Sequence, residues 1–259
     1  MDKLENLKKK IESYGKLCVA YSGGVDSSFL LHVAYSVLED NAMAVLIDSP
    51  VLARRDKAAA IDILERLGVR YEVVEENPFE SKEFCENTIK RCYFCKKNNY
   101  DLILEVAKQN GINYVADGQN VDDSVAGHRP GIVAGKEMGV VSPLIACGLT
   151  KDDIRRYSKQ LGVPTWNKPA NACLSSRIPY GFEITKERLA VVEAAEEALR
   201  ERGMESCRVR WHNTIARIEA PRNCFEAILN TPEITAGIKA LGFKYVTLDL
   251  EGFRSGSMN

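Results

Sequence analysis

The sequence has little histidine and tryptophan, 3 and 2 residues in a chain of 259. It has no apolar run long enough to cross a bilayer, and residues 1–10 are charged, unlike a signal peptide. Neither charge is in excess, with 35 Lys and Arg against 36 Asp and Glu, whereas proteins that hold a long polyanion are usually more basic. We therefore expect a cytoplasmic protein that binds neither membrane nor nucleic acid.

The 8 cysteines are not expected to form disulfides in a reducing cytoplasm. Cys92 and Cys95 form a Cys-x-x-Cys pair, which is compatible with half of a metal site, a redox pair or two core thiols. Cys173 lies in a proline-bounded loop close to Arg177, which would favour a thiolate. Three thiolates on a 4Fe–4S cluster or a zinc ion would leave one coordination position open. We interpret the others as structural: Cys18, Cys85, Cys147, Cys207 and Cys224.

Apolar runs alternate with helical patterns along the first part of the chain. Strands are predicted at residues 16–21, 42–47, 69–74 and 112–116. Helices are predicted between and after them at residues 4–14, 28–38, 54–67, 95–109 and 150–161. Because the predicted strands are apolar throughout, the pattern favours an α/β fold, a doubly wound parallel sheet covered on both faces.

The rhythm changes after residue 162. Residues 163–181 contain three prolines and little periodicity, which is typical of a long functional loop. Beyond it we predict a helix at 185–202, a hairpin of 207–211 with 215–220, and further helices and a strand up to 250. This predicts two domains: one at 1–181, built on the parallel sheet, and a smaller α+β domain at 182–259.

The strongest motif is Ser-Gly-Gly-Val-Asp-Ser at residues 22–27, between a predicted buried strand and a helix. Its glycines let the backbone approach a phosphate, and the helix N-terminus that follows favours an anion. No Gly-Lys-Ser/Thr follows, so it is not a Walker A loop. Asp122 and Asp123, after the fourth strand, are candidates for Mg²⁺ on a triphosphate. The candidate nucleotide-binding residues are Ala20, Ser22, Gly23, Gly24, Val25, Asp26, Ser27, Asp48, Arg55, Gly118 and Asp123.

The motif resembles the signature of the PP-loop superfamily, whose members cleave ATP between the α and β phosphates and adenylate a substrate. The whole chain resembles the LarE family of ATP-dependent sulfur transferases. The resemblance rests on the phosphate loop and on residues 117–123, 172–181, 209–211 and 215–219. It implies adenylation of a carboxylate of pyridinium-3,5-biscarboxylic acid mononucleotide, which sulfur then converts to a thiocarboxylate, in the synthesis of the nickel-pincer nucleotide.

The resemblance also implies site residues. Cys92, Cys95 and Cys173 resemble the family branch that holds a 4Fe–4S cluster on three cysteines and is fed by sulfide or a cysteine-desulfurase-type donor. Asp26, Cys173 and Arg210 are expected to be catalytic. Basic residues are needed to hold the phosphate and carboxylates of the substrate. The candidates are Arg177, Arg208, Arg210, Arg217 and Arg254, with Glu197 and Glu219 near substrate or metal. The resemblance makes 1–181 a PP-loop ATP pyrophosphatase domain and assigns substrate binding, sulfur transfer and oligomerisation to 182–259, so a homo-oligomer is expected.

Several alternatives remain at this point. In another branch of the family Cys173 would give up its own sulfur in a single turnover. A tRNA thiolation enzyme also combines a PP-loop with a three-cysteine cluster. An amidotransferase-type synthetase would make the three cysteines incidental, and a cluster carrier would not bind ATP.

Overall fold

The computed structural model describes residues 2–125, 130–169 and 172–254. The chain divides into two compact units. The first comprises Met1–Asn77 and Lys90–Asn171, and the second comprises Pro78–Ile89 and Ala172–Asn259. Residues 78–89 and 172–181 thus group with the second unit, whereas the predicted domains of 1–181 and 182–259 assign them to the first. Residues 170 and 171 of the predicted loop at 163–181 lie outside the described ranges.

The described residues form seven strands and twelve α-helices. The strands are β1 (Leu17–Tyr21), β2 (Ala42–Asp48), β3 (Arg70–Glu75), β4 (Val115–Ala116), β5 (Arg208–His212), β6 (Ile215–Glu219) and β7 (Tyr245–Leu248). The helices are α1 (Lys3–Glu12), α2 (Val25–Leu38), α3 (Arg54–Leu67), α4 (Lys82–Cys85), α5 (Arg91–Gln109), α6 (Val121–Val125), α7 (Pro130–Glu137), α8 (Pro143–Ala146), α9 (Lys151–Gln160), α10 (Lys186–Arg200), α11 (Phe225–Leu229) and α12 (Pro232–Ala240).

The first unit is built on a parallel sheet with the strand order β3-β2-β1-β4. Successive residues of a strand point to opposite faces. Accordingly, Leu17, Val19 and Tyr21 pack into a core with α1, α2 and α3, whereas Cys18 packs into a second core that contains residues of α5. The predicted parallel sheet with helices on both faces is therefore confirmed.

Three features of the first unit differ from the predictions. Strand β3 is not a buried apolar strand: it lies at the edge of the sheet, and most of its residues are exposed. An edge position explains its charged sequence, because one side of an edge strand has no neighbouring strand to cover it. Helix α2 begins at Val25 rather than at residue 28, so the phosphate loop leads directly into the helix. Helices α6, α7 and α8 were not predicted.

The second unit contains a small sheet with the order β5-β6-β7. The β5–β6 pair is antiparallel and forms the predicted hairpin, whereas β7 runs parallel to β6, so the sheet is mixed. Buried residues of α10, such as Leu189 and Val192, form the apolar interior of this unit together with Val209 and Ile218. Among the helices that the structure describes, none has the length and apolar character needed to cross a membrane.

Candidate active site

The loop after β1 brings backbone amides and hydroxyls together. Gly23 has a φ of +68°, and a Cβ there would lie 2.7 Å from the Cβ of Ala60, so the loop requires glycine at this position. Gly24 is the extended N-cap of α2, and the unpaired amides of the first turn follow it. The backbone amide of Ser22 donates a hydrogen bond to Ser27 Oγ at 3.2 Å, and the hydroxyl oxygens of the two serines lie 3.1 Å apart. These are the donors that a phosphate group needs.

The loop after β4 lies against this phosphate loop, because β1 and β4 are neighbours in the sheet. A Cβ on Gly118 would lie 2.8 Å from the backbone nitrogen of Ser27, so a side chain at this position would displace the loop. Asp117 is buried and accepts hydrogen bonds of 2.8 Å from both the Tyr100 hydroxyl and the Ser142 hydroxyl. Two segments predicted separately to bind the nucleotide are therefore in contact.

Asp26 has the environment of a cation ligand. Its Oδ2 accepts a hydrogen bond of 2.5 Å from Lys151 Nζ, while its Oδ1 is buried without a hydrogen-bond partner in the described part of the chain. Burial raises the pKa of Asp26; Lys151 opposes this shift, and the charge of Asp123 adds to it. A divalent cation would satisfy the buried oxygen and offset the repulsion between the two carboxylates, so the residues fit Mg²⁺.

The two acidic residues that begin α6 have different partners. Asp122 accepts a hydrogen bond of 2.6 Å from the backbone amide of Lys151 and thereby fixes the start of α9. Asp123 accepts the amide of Asn120 at 3.2 Å and acts electrostatically on Asp26. Among the described residues no group of three or more His, Cys, Asp or Glu forms a metal site. Phosphate oxygens of ATP would therefore complete the coordination of Mg²⁺, as is usual for this ion.

Basic side chains neutralise Asp48 at the end of β2. Arg54 Nη1 donates to its carboxylate at 2.7 Å, and Lys57 Nζ donates to the other oxygen. Burial would raise the pKa of Asp48, but the hydrogen bonds from Lys57 and Arg54 outweigh this and hold the pKa below its ordinary value. Arg55 is exposed on the first turn of α3, and its contact with ATP stays a prediction.

Lysines that the sequence analysis missed reach the phosphate-loop region. Lys168 Nζ donates to the carbonyl of Gly23 at 3.1 Å and lies 3.7 Å from Asp56 Oδ1. Lys151 reaches Asp26 from the start of α9, as described above. The two lysines are far from the loop in sequence, and neither belongs to a local motif. The fold is what brings them to it.

The three cysteines of the predicted cluster are accessible. Cys92 is exposed and Cys95 partly exposed in the first turns of α5, where residues three apart are surface neighbours. Cys173, in the second unit, is exposed as the N-cap of a 3₁₀ turn. In contrast, burial raises the pKa of Cys18 and of Cys207 to about 12, as expected of structural thiols. The exposure suits metal ligands, but a shared three-cysteine centre stays a prediction.

A buried glutamate that the sequence analysis missed organises the second unit. Glu196, on α10, is 1% exposed and accepts hydrogen bonds from Arg177 Nε at 2.9 Å and from Arg200 Nη2 at 2.7 Å. The amide of Val209 also donates to it, at 3.2 Å. Burial alone would raise the pKa of Glu196, but the charge and hydrogen bonds of Arg177 outweigh burial and lower it. The only local signal was the i,i+4 spacing of Glu196 and Arg200, which is common on exposed helices.

Arg177 is 2% exposed and donates to protein acceptors, including the carbonyl oxygens of Ala172 at 2.6 Å and Cys173 at 2.9 Å. It therefore contacts the backbone of the cysteine segment, and the guanidinium–thiolate contact suggested by the sequence is absent from the contacts that the structure describes. A contact between Arg177 and the substrate stays a prediction.

Two further predicted arginines share a buried carboxylate. Arg210 Nη2 donates to Glu219 Oε2 at 2.7 Å, and Arg210 Nη1 donates to the carbonyl of Ser176 at 3.1 Å. Arg217 lies opposite Arg210 in the β5–β6 register, 3.2 Å from the other oxygen of Glu219. Arg217 also donates to Asp249 at 2.7 Å. Glu219 thus separates two like charges on one face of the sheet.

The remaining predicted residues differ in burial. Arg208 is buried, donates to the carbonyl of Cys207 and lies over the ring of Phe253. Burial and the nearby charge of Arg177 lower its pKa. Arg254 is exposed and pairs with the exposed Glu251. Glu197 is half-exposed and pairs with Arg200 at 3.2 Å. Of this group, Arg208 belongs to the buried network and Arg254 does not.

A parallel sheet whose first strand leads through a Ser-Gly-Gly-Val-Asp-Ser loop into a helix defines the chain as an ATP-using enzyme of the PP-loop class. The comparisons with known proteins agree. The sequence model of the NAD synthase family matches residues 2–109. The chain is 37% identical over 246 residues to the pyridinium-3,5-bisthiocarboxylic acid mononucleotide synthase of Lactiplantibacillus plantarum, covering 94% of this chain and 89% of the relative. The chain belongs to the family of that synthase, the LarE family.

Other relatives mark the breadth of the class. An uncharacterized protein of Synechocystis sp. is 42% identical over 99% of this chain and 97% of its own length. One component of the glutamine-hydrolyzing GMP synthase of Thermoplasma volcanium is 27% identical over 74% of this chain and 65% of its own length. The predicted family and enzyme class, an adenylating sulfurtransferase, are therefore confirmed. The iron–sulfur branch is not tested by these similarities.

Proposed function

We propose that this enzyme converts carboxylates of pyridinium-3,5-biscarboxylic acid mononucleotide into thiocarboxylates at the expense of ATP, in nickel-pincer cofactor biosynthesis. The observation that carries the proposal is the phosphate loop with the half-satisfied carboxylate of Asp26, in a chain 37% identical to a synthase of the corresponding bisthiocarboxylic acid. The proposed substrate is inferred from the product in that relative's name, since replacing the thiocarboxylates of the product by carboxylates gives the dicarboxylate.

The first step makes the carboxylate reactive. A carboxylate oxygen attacks the α phosphorus of ATP, the bond between that phosphorus and the α–β bridging oxygen breaks, and pyrophosphate leaves. Loop amides and the hydroxyls of Ser22 and Ser27 bind the departing phosphates. Asp26 and Asp123 would hold Mg²⁺, which would supply positive charge to neutralise those phosphates. Lys151 and Lys168 add positive charge beside the loop. The products are an acyl adenylate and pyrophosphate.

The second step replaces AMP by sulfur. Hydrosulfide attacks the acyl carbon, a carbon–sulfur bond forms, and the carbon–oxygen bond to AMP breaks. AMP leaves, and the proton of hydrosulfide passes to solvent. No oxidant or reductant is needed when the donor, an external sulfide source or a desulfurase-type partner, supplies sulfur at the oxidation level of sulfide.

Basic side chains of the second unit are the proposed binders of the substrate phosphate and carboxylates. In the charge interactions that the structure describes, four carboxylates, Glu196, Glu197, Glu219 and Asp249, face five arginines, so the network carries residual positive charge. The arginines are Arg177, Arg200, Arg208, Arg210 and Arg217. Arg177 and Arg200 hold Glu196, so the proposed binders are Arg208, Arg210 and Arg217. A surplus of buried guanidinium groups favours a phosphorylated or carboxylated ligand.

Cys92, Cys95 and Cys173 are the proposed ligands of a 4Fe–4S cluster. The accessible thiols and the helical spacing of Cys92 and Cys95 fit this donor set. When bound, the cluster would supply an iron with an open position for hydrosulfide. The chain's own contribution is to keep the thiols exposed and to hold the segment of Cys173 in place.

Anaerobic purification with iron and sulfide analysis tests the cluster. We expect about four irons per chain in the wild type, and loss of iron in Cys173→Ala. Cys224→Ala is the matched control, since it removes a partly exposed cysteine outside the proposed set and should keep its iron. A protein without iron in which Cys173 loses the mass of its sulfur after one turnover would replace the cluster by the sacrificial mechanism.

A further inference from the structure

We infer that Arg177 and Glu196 form a positioning pair, which fixes the backbone of Cys173 so that its thiol stands exposed at a defined place. The inference rests on the proposed function for the use of that thiol in sulfur transfer. This role does not require either residue to touch the substrate or the reacting atoms. Their role is to hold the segment that carries the cysteine.

The pair is anchored on the α10 side. Both oxygens of Glu196 are engaged by Arg177, since Nε donates to Oε1 at 2.9 Å and Nη2 donates to Oε2 at 3.3 Å. This two-point contact fixes the plane of the guanidinium as well as its position. Both side chains are almost wholly buried, with exposures of 2% and 1% for Arg177 and Glu196. A buried ion pair adds little net stability, because the cost of desolvating both charges offsets their attraction, so we look for its role in what it positions.

The other edge of the same guanidinium holds the cysteine segment. Arg177 Nη1 donates to the carbonyl oxygens of Ala172 and Cys173, at 2.6 and 2.9 Å, and to the Ser176 hydroxyl at 2.9 Å. The Cys173 carbonyl also accepts the amide of Ser176 at 3.0 Å, which closes the 3₁₀ turn. With both carbonyls directed inward to Arg177, the thiol of Cys173 remains exposed. The arrangement separates a buried, fixed backbone from an accessible sulfur.

Only a planar, forked cation can make these contacts at once. Arginine offers five donors in a rigid plane, whereas the single ammonium of lysine cannot reach two carboxylate oxygens and two carbonyls together. Arg200 provides a natural comparison. It binds the same carboxylate at 2.7 Å but has no hydrogen bond to the Cys173 segment among those that the structure describes. Arg177→Lys and Arg200→Lys therefore weaken the same buried carboxylate, and only the first releases the cysteine.

The experiment compares Arg177→Lys with Arg200→Lys in the full chain. Amide hydrogen exchange of the peptide spanning residues 172–178 reports the backbone without reference to any activity. We expect exchange about tenfold faster in Arg177→Lys, because it loses charge-assisted hydrogen bonds that Arg200→Lys keeps, and a change below about twofold in Arg200→Lys. Equal acceleration in both variants would reduce the pair to general packing and overturn the inference.

A second readout separates positioning from stability. ATP–pyrophosphate exchange reports adenylation of the carboxylate, whereas thiocarboxylate formation requires Cys173 as well. We expect Arg177→Lys to lower thiocarboxylate formation about tenfold while adenylation changes less than about twofold, since a positioning loss acts on one half-reaction. A parallel fall of both half-reactions contradicts the inference. If Arg177→Lys does not fold, Glu196→Gln takes its place in both assays with the same expected split.

Failure of the proposed function gives a different result. A wild-type enzyme that forms no thiocarboxylate contradicts the proposed reaction, while the hydrogen-exchange comparison still decides whether Arg177 holds the segment. A wild-type enzyme that forms thiocarboxylate at the same rate as Arg177→Lys contradicts the positioning pair alone.

Discussion

The phosphate loop and the arginine network bind charge in opposite ways. The loop uses consecutive residues, 22–27, and its donors are mainly backbone amides and hydroxyls at the start of a helix. The network uses buried side chains brought together from residues 172–249, with carboxylates placed between arginines. We infer that the polar side chains of the loop serve a ligand and contribute little to stability, whereas those of the network also hold the fold together. Variants that affect either stability or chemistry, but not both, test this contrast.

The largest effect on stability is expected in the network. Arg210→Met removes one of the two arginine partners of Glu219, whose side chain is fully buried. We expect a loss of about 3 kcal/mol in the free energy of unfolding, the lower end for a broken buried ion pair, because Arg217 still compensates part of the buried charge. The control is Arg254→Met, at an exposed pair, where the change should stay within about 1 kcal/mol. Urea denaturation measures both. Equal small changes would show that the network does not hold the fold.

Asp26→Asn should lower activity without lowering stability, the reverse of what is expected for Arg210→Met. It removes a proposed Mg²⁺ ligand, so we expect ATP–pyrophosphate exchange to fall about a hundredfold or more. Stability at neutral pH should not fall, because burial already disfavours the charged carboxylate. Asp152→Asn, an exposed residue in the first turn of α9, should change the exchange rate less than about twofold. A loss of stability equal to that of Arg210→Met would remove the contrast between the regions.

A smaller effect on stability is expected where the loop after β4 packs against the phosphate loop. Gly118→Ala places a Cβ 2.8 Å from the backbone nitrogen of Ser27, and we expect it to cost about 1–3 kcal/mol and to weaken ATP binding, as overpacking displaces the phosphate loop. Gly237→Ala adds a Cβ to α12 with no neighbouring atom within 4 Å, and we expect a gain of about 0.5–1 kcal/mol. Isothermal ATP titration and urea denaturation of both variants check this pair.

The smallest predicted effects are in the pH dependence of stability. As the pH falls, the contribution of Glu196 in the network should decrease, whereas that of Asp26 in the phosphate loop should increase. The folded pKa of Glu196 is lowered from 4.5, so its contribution is present above that pH and is lost as the pH falls through the folded pKa. The folded pKa of Asp26 is raised from 3.8, so its contribution is present below that pH and is lost as the pH rises through the folded pKa.

The measurement is the free energy of unfolding from neutral pH down to the acid range. The difference in the free energy of unfolding by which the wild type exceeds Glu196→Gln should shrink as the pH falls below about 4.5. Over the same fall in pH, the free energy of unfolding of the wild type should rise relative to that of Asp26→Asn. The same direction of change for both variants would contradict the assigned environments.

The contrast also explains what the sequence could predict. The parallel sheet, the helix order and the phosphate loop follow from local patterns, since strand β1, Gly23 and the start of α2 are adjacent in sequence. Lys151 and Glu196 were missed because their partners, Asp26 and Arg177, are chosen by the fold. Arg177 was singled out as a basic residue near Cys173, but only the structure shows that it binds the backbone of the segment. The edge position of β3 likewise depends on strand order, which periodicity does not give.

The central claim is that the phosphate loop serves carboxylate adenylation. The most direct test incubates the enzyme with Mg²⁺, ATP, sulfide and pyridinium-3,5-biscarboxylic acid mononucleotide, and quantifies the nucleotide products. We predict AMP and pyrophosphate in equal amounts, formed only with the dicarboxylate present and abolished by Asp26→Asn. Formation of ADP and phosphate, or of AMP at a rate independent of the dicarboxylate, would contradict the account.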